Sequence, residues 1–222
     1  GAGIRLTSIE TWWQMDSASR RWAHEDLSMQ PPPILLGFTA HADIFEGMQL
    51  LNMSDPVNHG LRTMGVLAAD NDGVGMTGLA PAATIQLSTI VSRFNNVGTP
   101  VQDGYSSISD AILASSLGDV IVILMGALDD AGRQVPADYD PMALAAVQQA
   151  ADLGVIVVEA AGNAGISLDG IVGFRPEDPP SGAILVAGGD RFDRSWSCCN
   201  YGSHVRIQGW GDRVATLGSC QL

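Results

Sequence analysis

Short apolar runs alternate along the chain with longer stretches in which apolar residues recur at helical spacing. Ile4 to Ile9, Ile34 to Phe38 and Thr84 to Ile90 read as strands, as do Val120 to Leu124, Val155 to Glu159 and Ala183 to Ala187. The last three are closed off by Gly or Asp, the pattern of strands buried on both faces of a sheet. Helical patterns lie between them, at His59 to Ala69, Ser107 to Leu117 and Pro141 to Leu153. The third is the best punctuated. Pro141 stands at its start, where a missing N–H costs nothing, and Gly154 follows its end. Strand, helix, strand, helix at this spacing predicts right-handed crossovers and an α/β fold. It would be three-layered, with a mainly parallel, twisted sheet between helices on both faces. No internal repeat interrupts it, and the Pro-rich stretches at Pro31 to Pro33 and from Arg175 read as surface loops inside a single domain.

Composition narrows the chemistry more than the fold. The 222 residues are 46% apolar and 16% charged, a globular composition with length enough for one sizeable core. Formal net charge is −13, and all 11 cations are Arg, since no Lys occurs. Without Lys there is no Walker-type phosphate loop, no pyridoxal Schiff base and no Ser–Lys dyad. The acidic balance argues against nucleic acid and against an anionic membrane as partners, because both reward basic patches. The longest apolar run, Val120 to Leu128, falls well short of the roughly 20 residues that cross a bilayer. Before the first strand there is neither the charged start nor the hydrophobic stretch of a signal peptide. Cys198, Cys199 and Cys220 are too few for a disulfide framework, the vicinal pair would bridge only with strain, and no Cys-x-x-Cys metal spacing occurs.

Several candidate motifs have ordinary readings. Gly1-Ala2-Gly3 follows no strand and lacks the third glycine of a dinucleotide-binding turn. Asp70-Asn71-Asp72-Gly73-Val74-Gly75 resembles the start of a calcium loop without its distal Glu; a solvated turn is the first reading and a calcium site the second. No other metal or cofactor is expected, and His24, His41 and His204 have no supporting motif. Three blocks differ. His59-Gly60 heads a helix with small residues on one face, which leads to Gly78-Leu79-Ala80-Pro81. A buried strand runs into Ala160-Ala161-Gly162-Asn163, and a further strand leads to an Asn200-Tyr201-Gly202 turn, another strand and a Gly-rich corner. In this order the blocks resemble the subtilisin-like serine peptidases, the subtilases, from Gly1 to about Gly218.

That resemblance implies a subtilisin-like domain over residues 1–222 and hydrolysis of a peptide or protein substrate by a Ser–His–acid triad. His59 matches the family's general base, with Leu61 in place of the family's Thr, and Asn163 matches its oxyanion donor. Glu10 stands at the end of the first strand, where the family normally has Asp. A carboxylate there accepts from His Nδ1–H and steadies the imidazolium, a task Glu performs in many Ser hydrolases. Asp16 and Asp26 are the other carboxylates considered for that place. Leu124, Met125 and Gly126, with Ala160, Ala161 and Gly162, correspond to the segments that flank an extended substrate; Met125-Gly126 departs from the family's Ser-x-Gly.

The nucleophile is missing. The family carries it in Gly-Thr-Ser-x-Ala-x-Pro, which does not occur in these 222 residues. Where the family would proceed towards it, the chain reads Gly218-Ser219-Cys220-Gln221-Leu222, too short for Ser219 or Cys220 to open a helix. The expectation is a serine endopeptidase domain lacking its C-terminal, Ser-bearing segment, inactive in this form and completed by a further segment or chain. The alternative is a naturally truncated, inactive homologue that binds peptides. Secretion is implied by the family alone.

Overall fold

The first expected strand forms and carries a carboxylate at its end. In the computed structural model, which describes residues 2–16, 18–44, 48 and 56–217, the chain makes two compact units. One is built on the residues up to Ala111 and those from Ala215, the other on Ile112–Val214. In the first unit, β1 (Arg5–Glu10), β2 (Ile34–Leu35) and β3 (Thr84–Thr89) pair in parallel, β3 lying between the other two. All residues of β1 after Arg5, and of β3 after Thr84, are buried. Thr7 and Gln86 pair across them, Thr7 Oγ1 donating to Gln86 Oε1 at 2.9 Å, whereas the buried Ser8 hydroxyl has no hydrogen-bond partner among the described residues. The second strand ends at Leu35 rather than Phe38, because Gly37 takes φ +48° and opens the 3₁₀ turn Gly37–Ala40.

Helix α1 (Pro56–Ala68) starts three residues before the expected pattern, on a proline suited to a first turn. Leu61, Met64 and Ala68 form its buried stripe, so Leu61 is a core residue. A hairpin absent from the sequence reading, β4 (Val91–Phe94) with β5 (Pro100–Gln102), follows β3. Helix α2 (Gly104–Leu113) also begins three residues early, because Asp103 caps it, accepting from Ser106 N–H at 3.0 Å.

The second unit contains β6 (Val120–Ile123), the hairpin β7 (Gly126–Leu128) and β8 (Gln134–Pro136), α3 (Pro141–Asp152), β9 (Ile156–Ala160), β10 (Ile184–Gly189) and β11 (Val205–Trp210). Its parallel strands run in the order β6, β9, β10, β11. Asp140 caps α3 by accepting from Met142 N–H and Ala143 N–H, and Gly154 follows it at φ +73°. Seven strands thus pair in parallel, three in the first unit and four in the second, the α/β class expected.

Burial on both faces fails for the three strands expected to show it. Ile121, Ile123, Val157 and Leu185 are buried, whereas Val120, Val122, Val158, Ile184 and Val186 are half-buried and Ile156 is exposed. Register places Val122 beside Val158 and Val158 beside Ile184, so these residues form one continuous apolar face. The cause is supply: α3 is the second unit's only α-helix among the described residues, and one helix covers one face. No helix among the described residues is long and apolar enough to cross a membrane.

The buried face carries an ionisable group. Glu159 is fully buried on β9; its Oε1 accepts from Asp138 N–H at 3.0 Å, while Oε2 has no protein partner. Burial holds its carboxyl well above the usual range, and the Asp138 carboxyl pushes the same way. Asp138 is itself raised by burial, against the opposing pull of Ser181 and His204. A carboxyl whose folded pKa is raised stabilises the fold below its unfolded pKa, and that contribution is lost as pH rises through the folded value. Glu159→Gln keeps the acceptor and removes the charge. Melting curves should therefore show the variant more stable at pH 8, by on the order of several degrees, and matching the parent near pH 4. Identical pH profiles would contradict this.

Candidate active site

Glu10 ends β1 with only 4% of its surface exposed, so its carboxylate needs partners from the protein. Oε1 accepts from Thr11 N–H at 2.7 Å, and Oε2 contacts Nδ1 of His59. Nδ1 facing a carboxylate acts as the donor, which makes Nε2 the basic nitrogen of the neutral ring. The imidazole is 53% exposed, so Glu10 holds a ring that a reactant can reach. Two residues 49 positions apart are thus paired.

Gly60 explains how α1 approaches so closely. Trp12 and Trp13, which follow Glu10, are fully buried and form the surface on which the helix start rests. A Cβ at position 60 would stand 2.1 Å from the Trp12 carbonyl oxygen and 2.8 Å from Trp13 Cδ1. Gly60→Ala should therefore push α1 off this platform, cost about 1–3 kcal/mol as overpacking does, and part His59 from Glu10. Melting curves read the first effect, and loss of the low-field Nδ1 proton resonance reads the second. A variant with both unchanged would show that the contact is not needed.

Asp16 and Asp26 are engaged elsewhere. Asp16 accepts from Ser19 Oγ and N–H at 2.7 Å each, bonds that hold its carboxyl below its ordinary value. Asp26 Oδ2 accepts from Met76 N–H. His24 Nδ1 accepts from Asp26 N–H, and buried His204 places Nε2 2.8 Å from the Arg175 carbonyl. Asp70 turns inward to accept from Met29 N–H and Gln30 Nε2. No group of three or more His, Cys, Asp or Glu side chains gathers as a metal site among the described residues.

In the second unit, the register of β6 with β9 sets Ile123 beside Glu159. Leu124 to Gly126 and Ala160 to Gly162 therefore leave neighbouring strands at the C-terminal edge, where open α/β sheets bind ligands. Leu124 and Met125 are half-buried, and Gly126 is exposed, with a Cβ there 2.6 Å from the Val135 carbonyl. The loop after β9 turns at Gly162, φ +93°, and presents Asn163 to solvent. A Cβ on Gly162 would meet Asn200 Nδ2 at 2.6 Å and Gln134 O at 2.9 Å.

Asn200, which sequence reasoning took only as part of a turn, organises this loop. Fully buried, it donates from Nδ2 to Gln134 O and Ala161 O at 2.7 and 2.8 Å. Its Oδ1 accepts from Ala164 N–H and Ile166 N–H at 3.0 and 3.2 Å, and its own N–H donates to Gly162 O at 3.0 Å. The available signal was an Asn followed by Gly two places on, between two strands. Ser219 and Cys220 lie outside the described residues.

The family model described as the subtilase family matches residues 48–188. Thermitase of Thermoactinomyces vulgaris is 30% identical over 171 residues, 73% of this chain and 53% of its own length. The chain thus spans about half the length of that curated relative. Among solved structures, the psychrophilic subtilisin-like protease Apa1 of the Antarctic psychrotroph Pseudoalteromonas sp. AS-11 superposes with TM-score 0.62 at 20% identity, over 94% of this chain and 41% of that one. A cold-adapted subtilisin-like serine proteinase superposes with TM-score 0.60 at 18% identity, over 97% and 65% of the two chains.

Proposed function

The chain belongs to the subtilase family, and from that premise we propose that it supplies the general base, the orienting acid and the oxyanion loop of a serine endopeptidase. The pairing of Glu10 Oε2 with His59 Nδ1 at the end of β1 carries the reading. In it, a Ser hydroxyl attacks the peptide carbonyl while His59 Nε2 takes its proton, and Glu10 steadies the imidazolium through Nδ1–H. Asn163 donates to the oxyanion, and Leu124–Gly126 with Ala160–Gly162 pair with the extended substrate backbone. The extra methylene of Glu over Asp is accommodated by the Thr11 N–H, which anchors the carboxylate at Oε1.

The family's nucleophile motif is not among these residues, so the reading requires it from sequence beyond them, in this chain or another. The half-buried apolar face of β6, β9 and β10 is where a completing segment would gain most by docking. Secretion belongs to the same proposal. A second reading is an inactive homologue that binds peptides. The experiment is fluorophosphonate labelling and peptide turnover, by the 222-residue chain and by the same chain extended along its reading frame. Activity in the extended protein alone, lost on His59→Ala, supports the enzyme. Turnover by the short chain, lost on Ser219→Ala, would overturn the assignment of the nucleophile. Peptide binding with labelling of neither form supports the second reading.

A further inference from the structure

The loop bearing Asn163 is held from one side by the backbone around two adjacent cysteines. The carbonyl of Cys198 accepts from Gly165 N–H at 2.9 Å, and a Cβ on Gly165 would stand 2.4 Å from the Ser197 carbonyl. The Cys199 side chain is buried against Ala161 and Ala187, and a Cβ on Gly188 would be 3.1 Å from its Sγ. Asn200 follows directly, with its backbone N–H on Gly162 O and its side chain on Ala161, Ala164 and Ile166. The Cys198 carbonyl and the Asn200 N–H therefore bracket Asn163, and both adjoin the two cysteines.

We propose that Cys198 and Cys199 are a redox modification site, a dithiol whose closure to an intramolecular disulfide by a small-molecule disulfide or peroxide releases the Ala161–Ile166 loop. Cys198 is exposed and Cys199 buried, so the oxidant enters at Cys198. Burial also pushes the Cys199 thiol up, with the neighbouring Cys198 thiol pushing the same way, which leaves Cys199 to act second. With a glutathione disulfide, Cys198 thiolate attacks one sulfur and expels a glutathione thiolate. Cys199 then attacks the mixed disulfide at the Cys198 sulfur and expels the second glutathione, so two protein thiols are oxidised and one disulfide is reduced to two thiols.

Closure has a structural consequence. The sulfurs must approach to about 2.05 Å, with Cβ atoms about 3.8 Å apart, although one side chain now points to solvent and the other into the core. Either Cys199 leaves Ala161 and Ala187 or the connecting peptide turns, and in both cases the Gly165 and Gly162 bonds are disturbed. Strain in the ring makes the bond easy to reduce again, the behaviour of a reversible site rather than a structural one. The effect on the loop is independent of the role given to Asn163; an effect on hydrolysis rests on the proposed oxyanion reading.

The test uses the full 222-residue chain with Cys220→Ser, incubated with oxidised glutathione and then with dithiothreitol. Intact mass is expected to fall by two hydrogens, with no retained glutathione, and to recover on reduction. Hydrogen exchange of the Ala164, Gly165 and Ile166 amides should quicken by about tenfold in the oxidised form, as local opening predicts, and return on reduction. Cys198→Ser and Cys199→Ser should show neither change. A stable mixed disulfide, or closure with unchanged exchange, would overturn the proposal, as would the same acceleration in the serine variants. Because no peptide is hydrolysed, failure here is distinguishable from failure of the peptidase reading.

Discussion

His59→Ala, made in a form of the protein that carries its nucleophile, is expected to lower kcat by at least about 10²–10⁴-fold, the range a positioned general base supplies. KM should barely move, since the proposed reading gives His59 a proton transfer and leaves substrate binding to Leu124–Gly126 and Ala160–Gly162. Glu10→Gln is the sharper experiment. It preserves shape and burial but sets an amide where the carboxylate accepts from Nδ1. If the amide presents its NH₂, it selects the tautomer with the proton on Nε2, and that nitrogen can no longer act as a base. A loss in kcat comparable to that of His59→Ala is expected, with the melting temperature nearly retained. Glu10→Asp withdraws the carboxylate by one methylene and should fall between the two. Full kcat in Glu10→Gln would reduce Glu10 to a strand-end residue that caps Thr11.

Legibility in the sequence followed the strength of the local signal. Helix α3 was read within one residue, because Pro141 and Gly154 are local punctuation that tertiary contacts had no reason to override. The starts of α1 and α2 were each read three residues late, and at α2 the missed signal was Asp103, a cap. The hairpins β4–β5 and β7–β8 were not read at all; with strands of three or four residues, they are too short for alternation to emerge. Two-sided burial of β6, β9 and β10 was inferred from apolar runs, yet a run states only that a face can be covered. Whether a helix is present to cover it is a property of the unit, and here α3 serves one face. The contact of Glu10 with His59 could be anticipated because Glu10 ends a recognisable strand and His59 stands in the first turn of a recognisable helix. Asn200 was not, because its partners at Gln134, Ala161, Ala164 and Ile166 are backbone groups that leave no mark on side-chain pattern.

That backbone role makes Asn200 the position where a small substitution should do the most structural damage. Asn200→Ala removes the acceptor of the Ala164 and Ile166 N–H groups and the donor to the Gln134 and Ala161 carbonyls at once. Each orphaned group costs about 1–3 kcal/mol when it is buried, and if water repairs half of the four, which are mostly part-buried, the loss is roughly 2–6 kcal/mol, a large share of a net stability of about 5–15 kcal/mol. At about 2–4 °C per kcal/mol, the melting temperature should fall by roughly 4–24 °C. Asn200→Asp separates the donor from the acceptor. Oδ1 is kept for the two N–H groups, but the second oxygen now faces two carbonyl oxygens and must be protonated to bond either of them, and its single O–H then serves one. The introduced carboxyl is thereby held neutral in the fold, with its pKa raised above the unfolded value of about 3.9. Its stabilisation is present below that unfolded value and is lost as pH rises through the folded one. Melting curves should therefore place Asn200→Asp near the parent at about pH 4 and towards Asn200→Ala by pH 8. If the two variants instead melt together at every pH, the bonds that Oδ1 accepts from Ala164 N–H and Ile166 N–H are not what holds the loop.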